Sequence, residues 1–230
     1  MKTVGICVGH SRSNDTGADS VDGTSEWDYN EVVAELTARI LSSAGVKVEL
    51  FDLYEGDDYH SAMSWLAQRL NDKACDCAIE LHFNSADSPA AEGFEYIYWH
   101  TSNRGQHLAD CLLQAHHEMA PVQKVRGTKP ASFNNRGSAF LRKPKCPCCI
   151  CEPFFGSSVR EWQMFSTEEA QGMLALIYAK GLASYLEVEL PMPYVEFTTH
   201  SDKSPADSEI IAAHLSKIDN AVRDIRNLLP

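Results

Sequence analysis

Apolar and polar positions along the chain follow two different periods. Short runs with consecutive or alternating apolar residues read as strands: Val4 to Gly9 (VGICVG), Val46 to Leu53 (VKVELFDL), Cys77 to Phe83 (CAIELHF), Phe94 to Trp99 (FEYIYW) and Lys145 to Glu152 (KCPCCICE). In the last of these, Pro147 marks the strand's start or a bulge, because proline cannot donate to a sheet ladder. Between the runs, apolar residues recur every three or four positions. Val33, Leu36 and Ile40 predict a helix over Tyr29 to Ser42, and others are predicted near Ser61 to Leu70 and near Gln106 to Met119. Glu168 to Leu186 is apolar on all sides, as a buried helix would be. Strands alternating with helices predict an α/β domain over residues 1–187, a mainly parallel twisted sheet with helices on both faces.

The pattern changes after residue 187. Leu190 to Pro205 is punctuated by Pro191, Pro193 and Pro205 and reads as a linker, 188–205. Residues 206–230 read as an amphipathic helix. Ser204-Pro205-Ala206-Asp207 supplies an N-cap, a first-turn proline and an acidic residue, and Ile211, Leu215, Ile218, Val222, Ile225 and Leu229 follow at steps of 4, 3, 4, 3 and 4. Such a stripe either docks on its own domain or forms a short coiled-coil seam that makes a homodimer.

Composition narrows the function classes. The 230 residues are 44% hydrophobic and 23% charged, which is ordinary globular composition. No run approaches the ~18 apolar residues of a membrane span, so no membrane partner is expected. Lys and Arg total 20 against 32 Asp and Glu, a formal net charge of -12. Since each phosphate contact needs a cation, no nucleic-acid partner is expected. Lys2 and the short apolar stretch after it do not make a secretory signal, so the expected location is the cytoplasm, and action outside it would need some other means of release. Cysteines stand at 7, 75, 77, 111, 146, 148, 149 and 151. A chain of this size needs no disulfide scaffold, and the cluster at 146–151 has only one C-x-x-C spacing, placed on a strand where neighbours face opposite ways. Small, reduced, buried core residues are the expectation.

Ligands of an open parallel sheet bind at the carboxyl ends of its strands. His10 follows the first strand, His82 lies at the end of the third, and Glu152 closes the cysteine-rich one. Glu26 precedes the first helix. Two imidazoles and a carboxylate match a catalytic zinc set with one position left for water, and the remaining carboxylate can act as general base. Each residue alone has a plainer reading: a hydrogen-bonding histidine at a strand end, or an acid in a helix's first turn. Glu152 is harder to explain away, because a carboxylate after Cys148-Cys149-Ile150-Cys151 needs a partner or a function. His116 and His117 are read as surface residues. Phe94, Tyr96 and Tyr98 are read as core, with Tyr96 or Trp99 as the alternative lining of a ligand groove.

The order Gly9-His10, Glu26-Trp27-Asp28-Tyr29-Asn30, Leu81-His82-Phe83-Asn84 and Glu152 resembles the zinc-dependent N-acetylmuramoyl-L-alanine amidases, the cell-wall hydrolases of bacterial autolysins and phage endolysins. Arg136-Gly137 and Leu141-Arg142 resemble the segment leading into that family's last strand. The resemblance implies a peptidoglycan or muropeptide substrate and a zinc ion on His10, Glu26 and His82. It implies Glu152 as the catalytic glutamate. Asn84 and Arg136 are implied as substrate-side residues, Arg136 also having the plainer reading of a surface ion pair. Three places depart from the pattern: Cys7-Val8-Gly9-His10-Ser11 lacks the Asp and extra glycines the family often has around its first histidine, Glu80 stands where the family often has serine, and Pro153-Phe154-Phe155-Gly156 only loosely matches its final turn. The alternatives are another zinc hydrolase of peptide or acyl-amino-acid amides, and a metal-free binding module.

Overall fold

The computed structural model describes residues 1–11, 15–54, 58–88 and 90–190. The helix expected over 206–230, and the linker beyond residue 190, lie outside them. Every residue of β1 (Thr3–Val8) is buried, as its continuous apolar run requires of a strand covered on both faces. Ser25 caps α1 (Glu26–Ser43): its Oγ accepts from the Asp28 N–H at 3.1 Å and donates to Asp28 Oδ2 at 2.6 Å. The cap starts the helix three residues earlier than periodicity alone predicts, so that Glu26 is its first residue. There follow β2 (Lys47–Phe51), α2 (Tyr59–Asp72), β3 (Cys77–Leu81), β4 (Phe94–Trp99), α3 (Asn103–Met119), β5 (Val125–Ala131), α4 (Ser138–Arg142), β6 (Cys148–Glu152), α5 (Val159–Phe165) and α6 (Glu168–Leu186).

The six strands form one sheet in the order β2-β1-β3-β6-β4-β5. Four of the five pairings are parallel, and β4 meets β6 antiparallel. The expected mainly parallel sheet is therefore present, with β4 and β5 reversed. Strand β5 has no counterpart in the hydrophobic pattern. Its sequence VRGTKPA is apolar only at its ends and carries Gly127 and Pro130. An edge strand that pairs on one side tolerates both residues. Helices α4 and α5, of five and seven residues, are too short to show a period.

Alternation sorts the side chains between two cores. Val4, Ile6, Val8, Ile79, Leu81, Tyr96, Cys149 and Cys151 pack with α1, α3 and α6. Cys7, Ala78, Cys148 and Ile150 pack with α2 and α4 on the other face. All eight cysteines are free and seven are buried, only Cys111 being half-exposed. Tyr96 is fully buried, so it lines no groove. His116 corrects its surface reading. It is fully buried, stacks on Phe94 at 3.8 Å, and its ring nitrogens meet the Tyr96 hydroxyl at 2.8 Å and Gln123 Oε1 at 2.9 Å. Burial lowers its pKa to about 3 and outweighs the Gln123 hydrogen bond. His117 is exposed, as expected.

Candidate active site

The parallel neighbours β1, β3 and β6 end at the same edge of the sheet, so His10, His82 and Glu152 emerge together. Glu26 comes from the N-terminus of α1 and reaches the same place. Its Oε1 accepts from the Phe83 N–H at 3.1 Å and lies 2.8 Å from His82 Nδ1. Its Oε2 accepts from the Ala18 N–H at 3.1 Å and lies 3.3 Å from His10 Nε2. One buried carboxylate thus stands between two imidazoles. Burial raises its pKa, but the His10 and His82 hydrogen bonds outweigh this and hold it at about 2. His10 and His82 shift upward in return: burial lowers each, and the neighbouring carboxylates more than compensate.

The approach of these groups depends on glycine. A Cβ on Gly9 would collide with the His82 ring. A Cβ on Gly17, which has φ +81°, would stand 2.7 Å from Glu26 and from His10. His10 itself has φ 68°, the left-handed region that costs a residue with a Cβ of order 1–3 kcal/mol. Strain at this residue, in this place, is consistent with a side chain held for function.

Donor atoms of His10, Glu26 and His82 all lie within 4.8 Å of one another, and no other described group of His, Cys, Asp or Glu converges in this way. Ligand atoms ~2.0–2.1 Å from a tetrahedral zinc lie about 3.4 Å apart. The observed contacts, 2.8 Å to Glu26 Oε1 and 3.3 Å to Glu26 Oε2, lie about 0.6 and 0.1 Å inside that spacing. The donor set and the glycine cradle therefore fit a zinc ion.

Glu152 ends β6 on the same face as Cys148 and Ile150. Its Oε2 is sealed from solvent and has no hydrogen-bond partner among the described residues. Burial raises the carboxyl to about 8, with Glu26 and Glu95 adding to the shift and the His82 and His10 charges opposing it. A carboxyl with one unpartnered oxygen at this edge of the sheet suits proton transfer.

Asn84 and Arg136 are placed differently. Asn84 ties the end of β3 to the loop after β6: its N–H donates to the Phe154 carbonyl, its carbonyl accepts from Gly156, and its Nδ2 donates to Glu95 Oε1 at 3.1 Å. Arg136 is exposed and makes no ion pair among the described residues. It precedes Gly137, where a Cβ would collide with Ile150, two residues before Glu152.

Several site residues escaped the sequence reading. Glu95 lies opposite Glu152 across β4 and β6 and binds Arg126 Nε at 2.9 Å. Buried Glu161 accepts from the Phe155 and Gly93 N–H groups, both at 2.8 Å, and from Gln123 Nε2 at 3.1 Å, which pins the loop after Glu152. Glu80 lies 3.3 Å from His82 Nε2. A signal for Glu80 was available, since residues two apart on a strand share a face.

Among solved structures, the chain is similar to the N-acetylmuramoyl-L-alanine amidase AmiC2 of Nostoc punctiforme, at 24% identity and TM-score 0.70 over 81% of this chain and 97% of that one. An N-acetylmuramoyl-L-alanine amidase from Clostridium difficile 630 matches at 25% identity and TM-score 0.71, over 81% and 97%. The CwlD amidase from Clostridioides difficile, solved in complex with the GerS lipoprotein, matches at 20% identity and TM-score 0.73, over 81% and 99%. No curated protein matches. Residues 4–184 match the family model described as N-acetylmuramoyl-L-alanine amidase. That span runs from the first strand to the last turns of α6 and contains His10, Glu26, His82 and Glu152, and the chain belongs to this family of peptidoglycan-cleaving amidases.

Proposed function

We propose that this amidase is a zinc enzyme in which His10, Glu26 and His82 hold the metal and Glu152 moves the proton. The convergence of two imidazoles on one buried carboxylate carries this reading. The scissile amide joins the lactyl carbonyl of N-acetylmuramic acid to the amine of L-alanine. A zinc ion at this place supplies Lewis acidity toward that carbonyl and toward the attacking water.

The chain's own residues do the rest. Glu152 takes a proton from the water as oxygen attacks the carbonyl carbon. It then returns that proton to the alanine nitrogen as the C–N bond breaks, which leaves a carboxylic acid and an amine. Glu161 and Asn84 hold the segment after β6 against β3, which fixes where Glu152 points. On this reading exposed Arg136 meets substrate charge, and a peptidoglycan strand or muropeptide is the partner at this edge. Among the described residues no helix is long and apolar enough to cross a membrane.

The test is zinc content of purified protein beside its His82→Ala variant, followed by digestion of cell walls. The expected result is about one zinc per chain, strongly reduced in the variant, with new L-alanine N-termini released only by the loaded wild type. Wild-type protein that takes up no zinc after reconstitution refutes the metal reading. New amines other than L-alanine refute the assigned bond.

A further inference from the structure

Each imidazole of the site has one nitrogen toward Glu26 and the other toward a second carboxylate. For His10 the second partner is Asp15, with Oδ2 3.3 Å from Nδ1. For His82 it is Glu80, with Oε2 3.3 Å from Nε2. The two carboxylates stand in opposite surroundings. The Asp15 side chain is 72% exposed and that of Glu80 is 5% exposed.

Glu80 is costly where it lies. It occupies the middle of the sheet, flanked by Cys7 on β1 and Ile150 on β6. It meets no lysine or arginine among the described residues. Its polar contacts are His82 Nε2 and, at 3.3 Å, the hydroxyl of Tyr54, which donates to Oε1. Desolvation of a carboxylate is tolerated only where donors replace the lost water. The ring N–H of His82 is therefore the main group that makes Glu80 tenable. Glu80 is not one of the three converging donors, because it faces the nitrogen of His82 that points away from Glu26.

We propose that Glu80, backed by Tyr54, is a positioning residue that holds His82 in the Nε2–H form and so commits Nδ1 to the metal. This rests on the zinc reading above. A carboxylate on the far nitrogen of a ligating imidazole fixes its tautomer and ring angle, and removing such a partner typically costs 10–100-fold in metal affinity. Asp15 stands in the same relation to His10, but water competes for it, so its contribution is small.

The experiment measures zinc affinity of the full chain by competition with a chromophoric chelator at fixed pH. The variants are Glu80→Gln, Glu80→Ser, Tyr54→Phe and Asp15→Asn, each checked for folding by circular dichroism. Glu80→Ser replaces the carboxylate by a short neutral hydroxyl that cannot reach the ring as Glu80 does, and is expected to bind zinc 10–100-fold more weakly. Glu80→Gln keeps an acceptor oxygen without the charge and falls between Ser and wild type. Tyr54→Phe loses a few-fold, and Asp15→Asn stays within about threefold of wild type. A long-range ¹⁵N–¹H spectrum of the zinc-loaded protein shows the His82 proton on Nε2 in wild type and loses that single pattern in Glu80→Ser. Equal affinity across the Glu80 series, with the His82 pattern unchanged, overturns the proposal. Should Glu80→Ser not fold, Glu80→Gln decides, and a loss below twofold counts against it. Wild type without zinc affinity is a different failure, that of the metal site itself.

Discussion

Replacing Glu152 by glutamine separates activity from stability, because the proton-transfer role proposed for this side chain and its burial have opposite effects on the two. In the metal-free protein burial lifts this carboxyl from its ordinary 4.5 to about 8. Between those values the folded chain keeps a proton that the unfolded chain releases, so stability is fully present below about 4.5 and is lost as pH rises toward 8. Linkage gives a slope of about 1.4 kcal/mol per pH unit. The accumulated cost is then roughly 3 kcal/mol at pH 7 and on the order of 5 kcal/mol above pH 8. Glutamine does not titrate and removes that slope, whatever constant offset its amide introduces. Urea unfolding of chelator-treated wild type and Glu152→Gln, from pH 4.5 to 9, should show the variant gaining relative to wild type up to about pH 8 and no further. The zinc-loaded variant should lose activity by about 10²–10⁴-fold, the usual contribution of a general acid–base group. A stability difference that does not change with pH, or a variant within tenfold of wild-type activity, refutes the assignment.

Other residues make separate claims. Gly9→Ala pushes a methyl group into the His82 ring; zinc affinity should fall at least tenfold, read by chelator competition, while circular dichroism stays unchanged. Glu161→Gln keeps the shape of a buried carboxylate but cannot accept from both N–H groups that Glu161 serves. It should cost about 1–3 kcal/mol in urea unfolding and lower kcat through the misplaced Glu152 loop. The depressed pKa of His116 means that its stability contribution is full above about 6.5 and is lost as pH falls toward 3. His116→Gln should therefore show a shallower decline in unfolding free energy across that range, by about 1.4 kcal/mol per pH unit.

The parts of this enzyme that were legible in its sequence are those with a strong local signal. β1, β3 and β6 are near-continuous apolar runs, and each has a residue of the site at its end or one or two positions beyond it, His10 after Val8, His82 after Leu81 and Glu152 itself. Alternation along β6 correctly divided Cys149 and Cys151 from Cys148 and Ile150. Strand β5 was hidden because an edge strand need not be apolar, and the reversal of β4 was hidden because a strand's pattern does not encode its direction. The His116 misreading has a similar cause. A helix position next to an exposed histidine shows nothing of the cavity formed by Phe94, Tyr96 and Gln123, which lie far from it in sequence or on another element. The carboxylates around the site, Glu80, Glu95 and Glu161, are ordinary charged residues until the sheet closes and excludes water from them.

The position of β6 also orders the events by which the enzyme comes into being. His10, Glu26 and His82 all lie in the first 82 residues, on three elements that are neighbours through β1 and β3. Glu152 arrives last, on a strand that must insert between β3 and β4. Until it does, both of those strands keep an open edge that can recruit other chains, a hazard during synthesis. The order also builds in a safeguard. On the proposed assignment the three metal ligands lie within the first 82 residues and the base lies on β6, so a chain stopped before β6 would carry the ligands without the base.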